Sequence, residues 1–502
     1  MTYASALTTD RGSHDAKSHI TERLLNYYNL LYDRGLSAVE AVEQLTYLLV
    51  LKLEDEESQT AVVGEQPAPP TPHGWTSLTK KRAEPLVAQY TEILAQRSSS
   101  ASGTAVDAVF AGAQNHVPDP ALLQRLVLDL FDVEQWSVYG KMLLGEAYGE
   151  LLQRTMNERR SGAGEFFTPR PLIDAIVEVL QPQLTDTISD PACGMGGFLL
   201  GVHDHLARHV TNPTSDELRQ YRNQQRRGDE LVPGAARLAT ANLLLHGAVS
   251  ARQPAPITVR DALPQQPDSK ASLVLTHPPF GKHAEISGEG SRHMYGRSDF
   301  VTASSDKQIN FLQHAMSLTA VQGRAAVVVP DSILFALGAV EIVRRDLLNR
   351  FDVHTVLRLP TGIFPSASGV MASVIFFDLH PNHAGEYPQT SKIWVYDLRP
   401  RRRFDPRSNP LNQRDLNEFV SAYGPGLSRT DRRETEHFRY FDIHEVLEHD
   451  HASLDLTPSN EVSGEGSLAA PEEIAQGVLE DLRIALQEFE ELTAELLRGD
   501  AE

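Results

Sequence analysis

A glycine-rich turn, SDPACGMGGFLLG at residues 189–201, constrains the fold of this chain more than any other segment. A short strand candidate at 187–189 leads into it and a helical pattern follows it, so the segment predicts a strand that turns tightly into a helix. Gly194, Gly196 and Gly197 permit tight turns and close backbone approach, and a helix N-terminus offers free N–H groups. The turn therefore predicts a ligand site at the end of a buried strand.

The residues around this turn alternate between short apolar runs and helical patterns. Helices are predicted at 171–180 and 233–245. Alternation of this kind is typical of an α/β domain with a mainly parallel sheet. Strands are predicted at 187–189, 272–276, 325–329, 353–357 and 373–377.

Both ends of the chain show helical periodicity instead. In the N-terminal part, apolar residues recur every three or four positions at 18–55, 80–95, 122–130 and 142–156. Near the C-terminus, residues 471–497 place an apolar stripe opposite acidic residues, which predicts a long helix that docks on another helix. We expect a helical N-terminal domain, an α/β domain and a partner-docking helix at 1–157, 158–460 and 461–502.

Three carboxylates follow predicted strands in succession. Asp190 ends the strand before the turn, where it can accept a hydrogen bond from an amine or a hydroxyl. Glu230 is placed to accept from ribose hydroxyls at the end of a second strand, and Asp261 to accept from an adenine amino group at a third. Together they favour an adenosyl cofactor. A dehydrogenase is not expected, because the turn is not a clean G-x-G-x-x-G.

The sequence His277-Pro278-Pro279-Phe280 follows the fourth strand. This order of motifs resembles amino-group methyltransferases that use S-adenosylmethionine, and GAGEFFTPRPLIDAIV at 162–177 resembles the segment that closes over the methionine part of that cofactor. The resemblance implies catalytic roles for His277, Pro278, Pro279 and Phe280. It implies cofactor binding by Glu165, Phe166, Phe167, Thr168, Pro169, Asp190, Ala192, Gly194, Met195, Gly196, Gly197, Glu230 and Asp261.

From about residue 18 to about residue 497, the chain resembles the modification (M) subunit of type I restriction–modification systems. The segments that carry the resemblance are LSAVEAVEQLTYLLVLKLEDEE, NERRSGAGEFFTPRPLI, DPACGMGGFL, NFLQHAMSLTAVQGRAAVVVPDSILF, VHTVLRLPTGIF and the acidic C-terminal helix. The family implies a Rossmann-like S-adenosylmethionine-dependent methyltransferase domain between an all-α N-terminal domain and a long C-terminal helix. It also implies N6-adenine methylation of double-stranded DNA with the target adenine flipped out, in a phage-defence complex. The implied partners are a specificity (S) subunit that reads the sequence, a restriction (R) subunit and a second M copy.

His277 departs from this family, which has Asn before the two prolines. The Asn side-chain oxygen and the carbonyl of the next proline accept the two adenine N6 hydrogens, and the aromatic residue stacks on the flipped base. A neutral imidazole keeps one acceptor nitrogen, and Nδ1 lies about as far from the backbone as the Asn side-chain oxygen would. A protonated ring has no acceptor. With an ordinary pKa near 6.5, methylation would fall at acidic pH. Three outcomes stay open: a working enzyme, a slow enzyme, and a cofactor-binding scaffold that no longer methylates.

Met195 stands where the family usually has Thr or Ser, and only its backbone is expected to contact the cofactor. A third interpretation is methylation of RNA or of a protein glutamine, since those enzymes share the Asn-Pro-Pro-aromatic motif. The helical N-terminal part and the long C-terminal helix speak against it.

Net charge limits how this chain can bind DNA. The formal charge is −21, and residues 431–502 alone hold 20 acidic and 5 basic side chains. Phosphate neutralisation needs local Lys and Arg, so we expect weak DNA binding by the chain alone and base recognition on the S subunit. The single cysteine, Cys193, excludes an intrachain disulfide and suits a reducing cytoplasm. The sequence shows no membrane-length apolar run and no recognisable histidine cluster, so we expect neither membrane contact nor a metal.

Overall fold

The computed structural model describes residues 10–458 apart from short gaps. These gaps are at 61, 64–65, 68–73, 101, 118, 158–166, 212, 218–220, 222–225, 282–296, 365–369, 382–387, 401–403, 406–407 and 449. The predicted C-terminal helix and two predicted cofactor residues, Glu165 and Phe166, lie outside the described residues. Met1–Thr457 groups as one compact unit, so the predicted boundary at 157 stays a prediction.

A nine-stranded mixed sheet organises the described part of the chain. Its strands are β1 Ile188–Asp190, β2 Arg226–Glu230, β3 Ile257–Val259, β4 Ala271–Thr276, β5 Thr319–Pro330, β6 Asp352–Leu359, β7 Ala372–Asp378, β8 Lys392–Asp397 and β9 Phe438–Asp442. They lie in the order β3-β2-β1-β4-β5-β7-β6-β8-β9. β7 runs antiparallel to both of its neighbours, β9 runs antiparallel to β8, and the remaining pairs are parallel.

This strand order fixes the place of the ligand site. The chain moves outward from β1 through β2 to β3, then returns to the other side of β1 with β4. Crevices at such a reversal lie beyond the carboxyl ends of the parallel strands, because the connections leave in opposite directions. The ends of β1, β2 and β4 therefore meet at one edge of the sheet.

Helices cover the sheet and precede it. They are α1 Asp10–Tyr32, α2 Ala38–Thr60, α3 Trp75–Thr79, α4 Ala83–Ser98, α5 Ala105–Phe110, α6 Pro120–Arg125, α7 Gly140–Asn157, α8 Arg170–Leu180, α9 Gly197–His209, α10 Pro233–Leu245, α11 Lys307–Leu318, α12 Ser332–Phe335, α13 Ala339–Arg350, α14 Gln413–Tyr423 and α15 Ile443–Glu448. A π-helical turn, Leu126–Phe131, continues α6, and a 3-10 turn, Trp136–Tyr139, precedes α7. No helix in the described part of the chain is both long enough and apolar enough to cross a bilayer.

Alternation along the strands divides the apolar core. Leu273 and Leu275 of β4 belong to a cluster with α8, α9 and α10, whereas Val274 belongs to a cluster with α11 and α13. Successive strand side chains point to opposite faces, so each face is buried by its own helices. The helices before residue 157 share a further core, with residues of α10 in it.

The five predicted strands lie within or next to β1, β4, β5, β6 and β7, and the predicted α/β fold is confirmed. The sheet was predicted to be mainly parallel and is mixed, because β7 and β9 run antiparallel to their neighbours. The sequence did not predict β8 and β9, which add to the far edge of the sheet. The described residues of the N-terminal part form helices and a pair of two-residue strands, Val62–Val63 and Gln66–Pro67. The predicted first helix is two helices, because the chain turns at Gly35 with φ +94°.

Candidate functional site

The glycine-rich turn joins β1 to α9, as the sequence predicted. Gly194 and Gly196 have φ of +51° and +76°, backbone conformations that other residues rarely adopt. The backbone N–H of Ala192 donates to Asp190 Oδ1 at 3.1 Å, and that of Cys193 donates to the Asp229 carbonyl at 3.0 Å. These bonds hold the turn against the ends of β1 and β2.

Glu230 contacts the turn directly. Its Oε2 accepts from the Gly194 N–H at 3.0 Å, and its Oε1 accepts from the Val232 N–H at 2.8 Å. The two residues are 36 positions apart in sequence, and the parallel pairing of β1 with β2 brings them together. The acid predicted to bind a ribose therefore lies beside the glycine predicted to approach the same ligand.

Electrostatics single out Asp190 at this site. Its side chain is buried, and burial raises its pKa to about 7, with the Glu230 and Asp229 carboxylates adding to the rise. Such a carboxyl group binds a proton or a cationic partner readily near neutral pH. Burial also raises the pKa of the Cys193 thiol well above its ordinary value, which disfavours the nucleophilic thiolate.

Asp261 lies two residues beyond β3, which pairs with β2 through Glu230 and Val259. It is exposed and accepts from the Leu263 N–H at 3.0 Å. Beside it is a small apolar cluster, formed by buried Ala262, Leu263 and Phe311 with half-buried Ala192 and Phe300. The sequence did not predict a role for either phenylalanine, since their periodicity resembles that of any core residue.

His277 follows β4 and is buried. Its Nδ1 lies 2.7 Å from the Thr168 hydroxyl. The ring contacts two aromatic rings, with centroids 5.2 Å from Phe280 and 5.0 Å from Phe364. The sequence predicted that Nδ1 accepts a hydrogen bond from the substrate, but in the structure this atom is already hydrogen-bonded to Thr168.

Burial lowers the pKa of His277 to about 3. The ring is therefore neutral at any pH in the physiological range, and the expectation of a titration near 6.5 is wrong. The physical reason is desolvation, since Thr168, Phe280 and Phe364 replace water around the imidazole.

The predicted lid segment lies beside this motif. Phe167 and Thr168 are half-buried, and Pro169 is buried at the start of α8, where its carbonyl accepts from the Leu172 N–H at 3.0 Å. The hydrogen bond between Thr168 and His277 joins residues 109 positions apart. The structure thus brings the lid segment to the His-Pro-Pro-Phe motif.

The remaining predicted residues lie in the glycine-rich turn and in the His-Pro-Pro-Phe motif. The Met195 carbonyl accepts from the Asn242 side chain at 3.0 Å, and the Met195 side chain packs on the core of the N-terminal helices. Gly197 begins α9. Pro278 is buried and Pro279 half-buried between His277 and Phe280.

One group of residues was missed entirely. Glu178, His205 and His209 lie together, so the expectation that the histidines form no cluster is corrected. The available signal was the spacing of His205 and His209, four residues apart on a predicted helix, which places both on one face.

Comparisons with known proteins agree on one family. Residues 140–466 match the family model described as N-6 DNA Methylase. The chain is 33% identical over 94% of each chain to the StySJI methylase subunit of a type I restriction enzyme from Salmonella typhimurium. It is 34% identical to the EcoKI methylase subunit of a type I restriction enzyme from Escherichia coli, covering 78% of this chain and 74% of that one. A solved structure on the assembly and conformational transition of the type I R-M system matches with a TM-score of 0.70, at 26% identity, covering 96% of this chain and 98% of that one.

Proposed function

The chain belongs to the N-6 DNA methylase family and, within it, to the methylase subunits of type I restriction enzymes; on that premise we propose how its residues act. It is an S-adenosylmethionine-dependent adenine DNA methyltransferase subunit. The observation that carries the proposal is that Asp190, Glu230 and His277 lie at the carboxyl ends of three adjacent strands, β1, β2 and β4. An interpretation as a non-catalytic scaffold is not favoured, since the family and the relatives are methylases.

S-adenosylmethionine supplies a methyl group activated on a sulfonium sulfur. Its polar groups fit the donors and acceptors of this site. The buried Asp190 carboxyl group, with its pKa of about 7, accepts from the methionine ammonium, and Glu230 accepts from the ribose hydroxyls. The glycine-rich turn from Ala192 to Gly197 provides the backbone that approaches the cofactor.

The apolar cluster beside Asp261 suits the adenine ring of the cofactor. Ala192, Leu263 and Phe311 supply contact surface for its faces, and Asp261 accepts from its amino group. The segment from Phe167 to Pro169 closes over the methionine part, and the cofactor contacts of Glu165 and Phe166, outside the described residues, are proposed from the sequence alone. This arrangement assigns each predicted cofactor residue to one part of the ligand.

The His-Pro-Pro-Phe motif receives the target adenine of the DNA. The adenine is flipped out of the duplex, and Phe280 stacks on it. The Pro278 carbonyl accepts one N6 hydrogen. The second N6 hydrogen is accepted by His277. When the Thr168 hydroxyl accepts from Nδ1–H of His277, the proton stays on Nδ1, and the lone pair of Nε2 accepts that second N6 hydrogen. Thr168 is then the residue that positions the ring.

Assembly supplies what the chain lacks for DNA recognition. We propose that the S subunit recognises the DNA sequence and that an R subunit is the nuclease partner. The complex also contains a second copy of this chain. The proposed dock for the S subunit is the C-terminal segment 461–502. Because the proposed substrate is cellular DNA, the proposed location is the cytoplasm.

Methyl transfer from labelled S-adenosylmethionine to a cognate duplex, by the chain with its S subunit, tests the function. Wild type and His277→Asn should both transfer label, and His277→Ala should lose roughly tenfold or more, because one acceptor is gone. A scaffold predicts a silent wild type beside an active His277→Asn. If all three forms are silent while cofactor and DNA bind, the assignment of the motif is wrong.

Calorimetry tests the cofactor site separately. Glu230→Ala removes a charge-assisted acceptor worth about 1.5–3 kcal/mol, so the affinity for S-adenosylmethionine should fall tenfold or more. Glu217→Ala, on the exposed surface, is the matched control. Equal affinity in Glu230→Ala and wild type would contradict the assignment of Glu230.

A further inference from the structure

One face of α9 changes character along its length. Gly197, Gly201, His205 and His209 recur every four residues and therefore lie on one face. A Cβ on Gly201 would lie 2.6 Å from Ile173 Cγ2 of α8, so only glycine permits this approach of the two helices. The close packing at the glycine end brings the histidine end within reach of Glu178 on α8.

Three ligand atoms converge there. Glu178 Oε2 lies 3.2 Å from His205 Nδ1, and Glu178 Oε1 lies 3.9 Å from His209 Nε2. The two imidazole rings stack with centroids 4.1 Å apart. One ligand atom from each residue lies within 4.8 Å of the others, close enough for small side-chain rotations to bring them around one ion.

Two further observations point to a ligand. His205 is 4% exposed, and its Nδ1, although it lies 3.2 Å from Glu178 Oε2, makes no hydrogen bond of acceptable geometry in the described part of the chain. His209 Nδ1 lies 2.9 Å from the His205 carbonyl, so Nδ1–H donates there and the Nε2 lone pair is left toward Glu178. A backbone carbonyl that fixes the tautomer in this way is typical of metal-binding histidines.

We propose that Glu178, His205 and His209 bind a divalent transition-metal cation of the zinc class. His205 binds through Nδ1, His209 through Nε2 and Glu178 through its carboxylate. Two imidazoles and one carboxylate are a common ligand set for zinc, and solvent completes the coordination because the His209 side chain is 49% exposed.

The cation would join α8 to α9. The lid segment Phe167–Pro169 precedes α8, and the glycine-rich turn precedes α9, so the site ties together the helices behind both. The metal takes no part in the proposed methyl transfer. Its expected effect is a higher melting temperature of the chain, since it binds the folded arrangement and not the unfolded chain.

The site is tested by titrating zinc chloride into tag-free full-length chain from which a chelator has removed bound metal. Isothermal calorimetry should show about one zinc ion per chain, and cobalt(II) should give visible absorption bands when bound. Glu178→Gln and His209→Ala should each weaken zinc binding about tenfold or more and abolish the zinc-dependent rise in melting temperature. The matched control is His444→Ala, an exposed histidine elsewhere on the chain.

The fold is checked by the melting temperature in chelator, which should be similar for His209→Ala and wild type because His209 is half exposed. If zinc binds wild type, His209→Ala and Glu178→Gln equally, the ion sits elsewhere and the proposal is overturned. If zinc does not bind wild type, the proposal is also overturned. Glu178 and His205 then form an ion pair on which the His209 ring stacks.

Discussion

His277 is buried among Thr168, Phe280 and Phe364, and this environment decides its chemistry. Because burial lowers its pKa to about 3, the ring stays neutral from pH 6 to pH 8. The ratio of methylation rates of wild type and His277→Asn should therefore be the same at pH 6 and pH 8. A wild-type rate that falls severalfold at pH 6 relative to His277→Asn would show that the ring titrates near its ordinary value.

Asp190 gives the opposite case, a carboxyl group that is harder to ionise. Its folded pKa of about 7 lies above its ordinary value of 3.8, so ionisation destabilises the cofactor-free fold as pH rises through this range. At one pKa unit per 1.36 kcal/mol, Asp190→Asn should raise the free energy of unfolding at pH 8 by up to about 4 kcal/mol. At pH 4 the two proteins should differ little.

Urea unfolding without cofactor, at both pH values, measures this difference. The same variant should bind S-adenosylmethionine more weakly, since it lacks the anionic acceptor for the ammonium group. If Asp190→Asn raises the free energy of unfolding equally at pH 4 and pH 8, the gain does not come from the ionisation of Asp190, and the prediction is contradicted.

Among the elements, α10 connects the N-terminal helices to the sheet. Its Leu238 and Leu245 belong to the core of the N-terminal helices, whereas its Ala239 and Leu243 belong to the core on the sheet. A single helix with two apolar faces makes the two cores adjacent, which agrees with the grouping of Met1–Thr457 as one compact unit.

An ion pair also joins α10 to α2. Arg237 Nη2 donates to Glu43 Oε1 at 2.7 Å, and the Glu43 side chain is 5% exposed. Glu43→Gln replaces a charge-assisted hydrogen bond by a neutral one, so the free energy of unfolding should fall by about 1.5–3 kcal/mol. Asp346→Asn, in the more exposed pair with Arg350 on α13, should change it by less than about 1 kcal/mol. Equal losses in chemical denaturation would mean that burial does not strengthen the first pair.

At the scale of the whole molecule, charge separates DNA chemistry from DNA recognition. The chain carries −21, and Arg344 is buried and donates to the Ala452 and Ile333 carbonyls, so it is not available to contact a phosphate. The purified chain should therefore bind duplex DNA weakly and without sequence preference, and tightly and specifically with its S subunit. Gel shifts at two salt concentrations measure both, and tight site-specific binding by the lone chain would contradict this division.

The sequence by itself determined the local parts of this protein. Glycine spacing and the acid at residue 190 predicted the strand, turn and helix, because tight turns and helix starts depend on neighbouring residues. The order of Asp190, Glu230 and Asp261 predicted their common edge, because parallel strands end on the same side of a sheet. The sequence did not predict the strands β8 and β9, because their pairing depends on a sheet edge that distant residues form.

Only the tertiary structure decided the properties that depend on surroundings. The pKa values of Asp190 and His277 follow from burial by residues far away in sequence. The contact of Thr168 with His277 spans 109 positions, and no local pattern encodes it. The approach of Glu178 to His205 and His209 likewise follows from how closely α8 packs on α9, because desolvation and proximity are properties of the packed chain and not of any single segment.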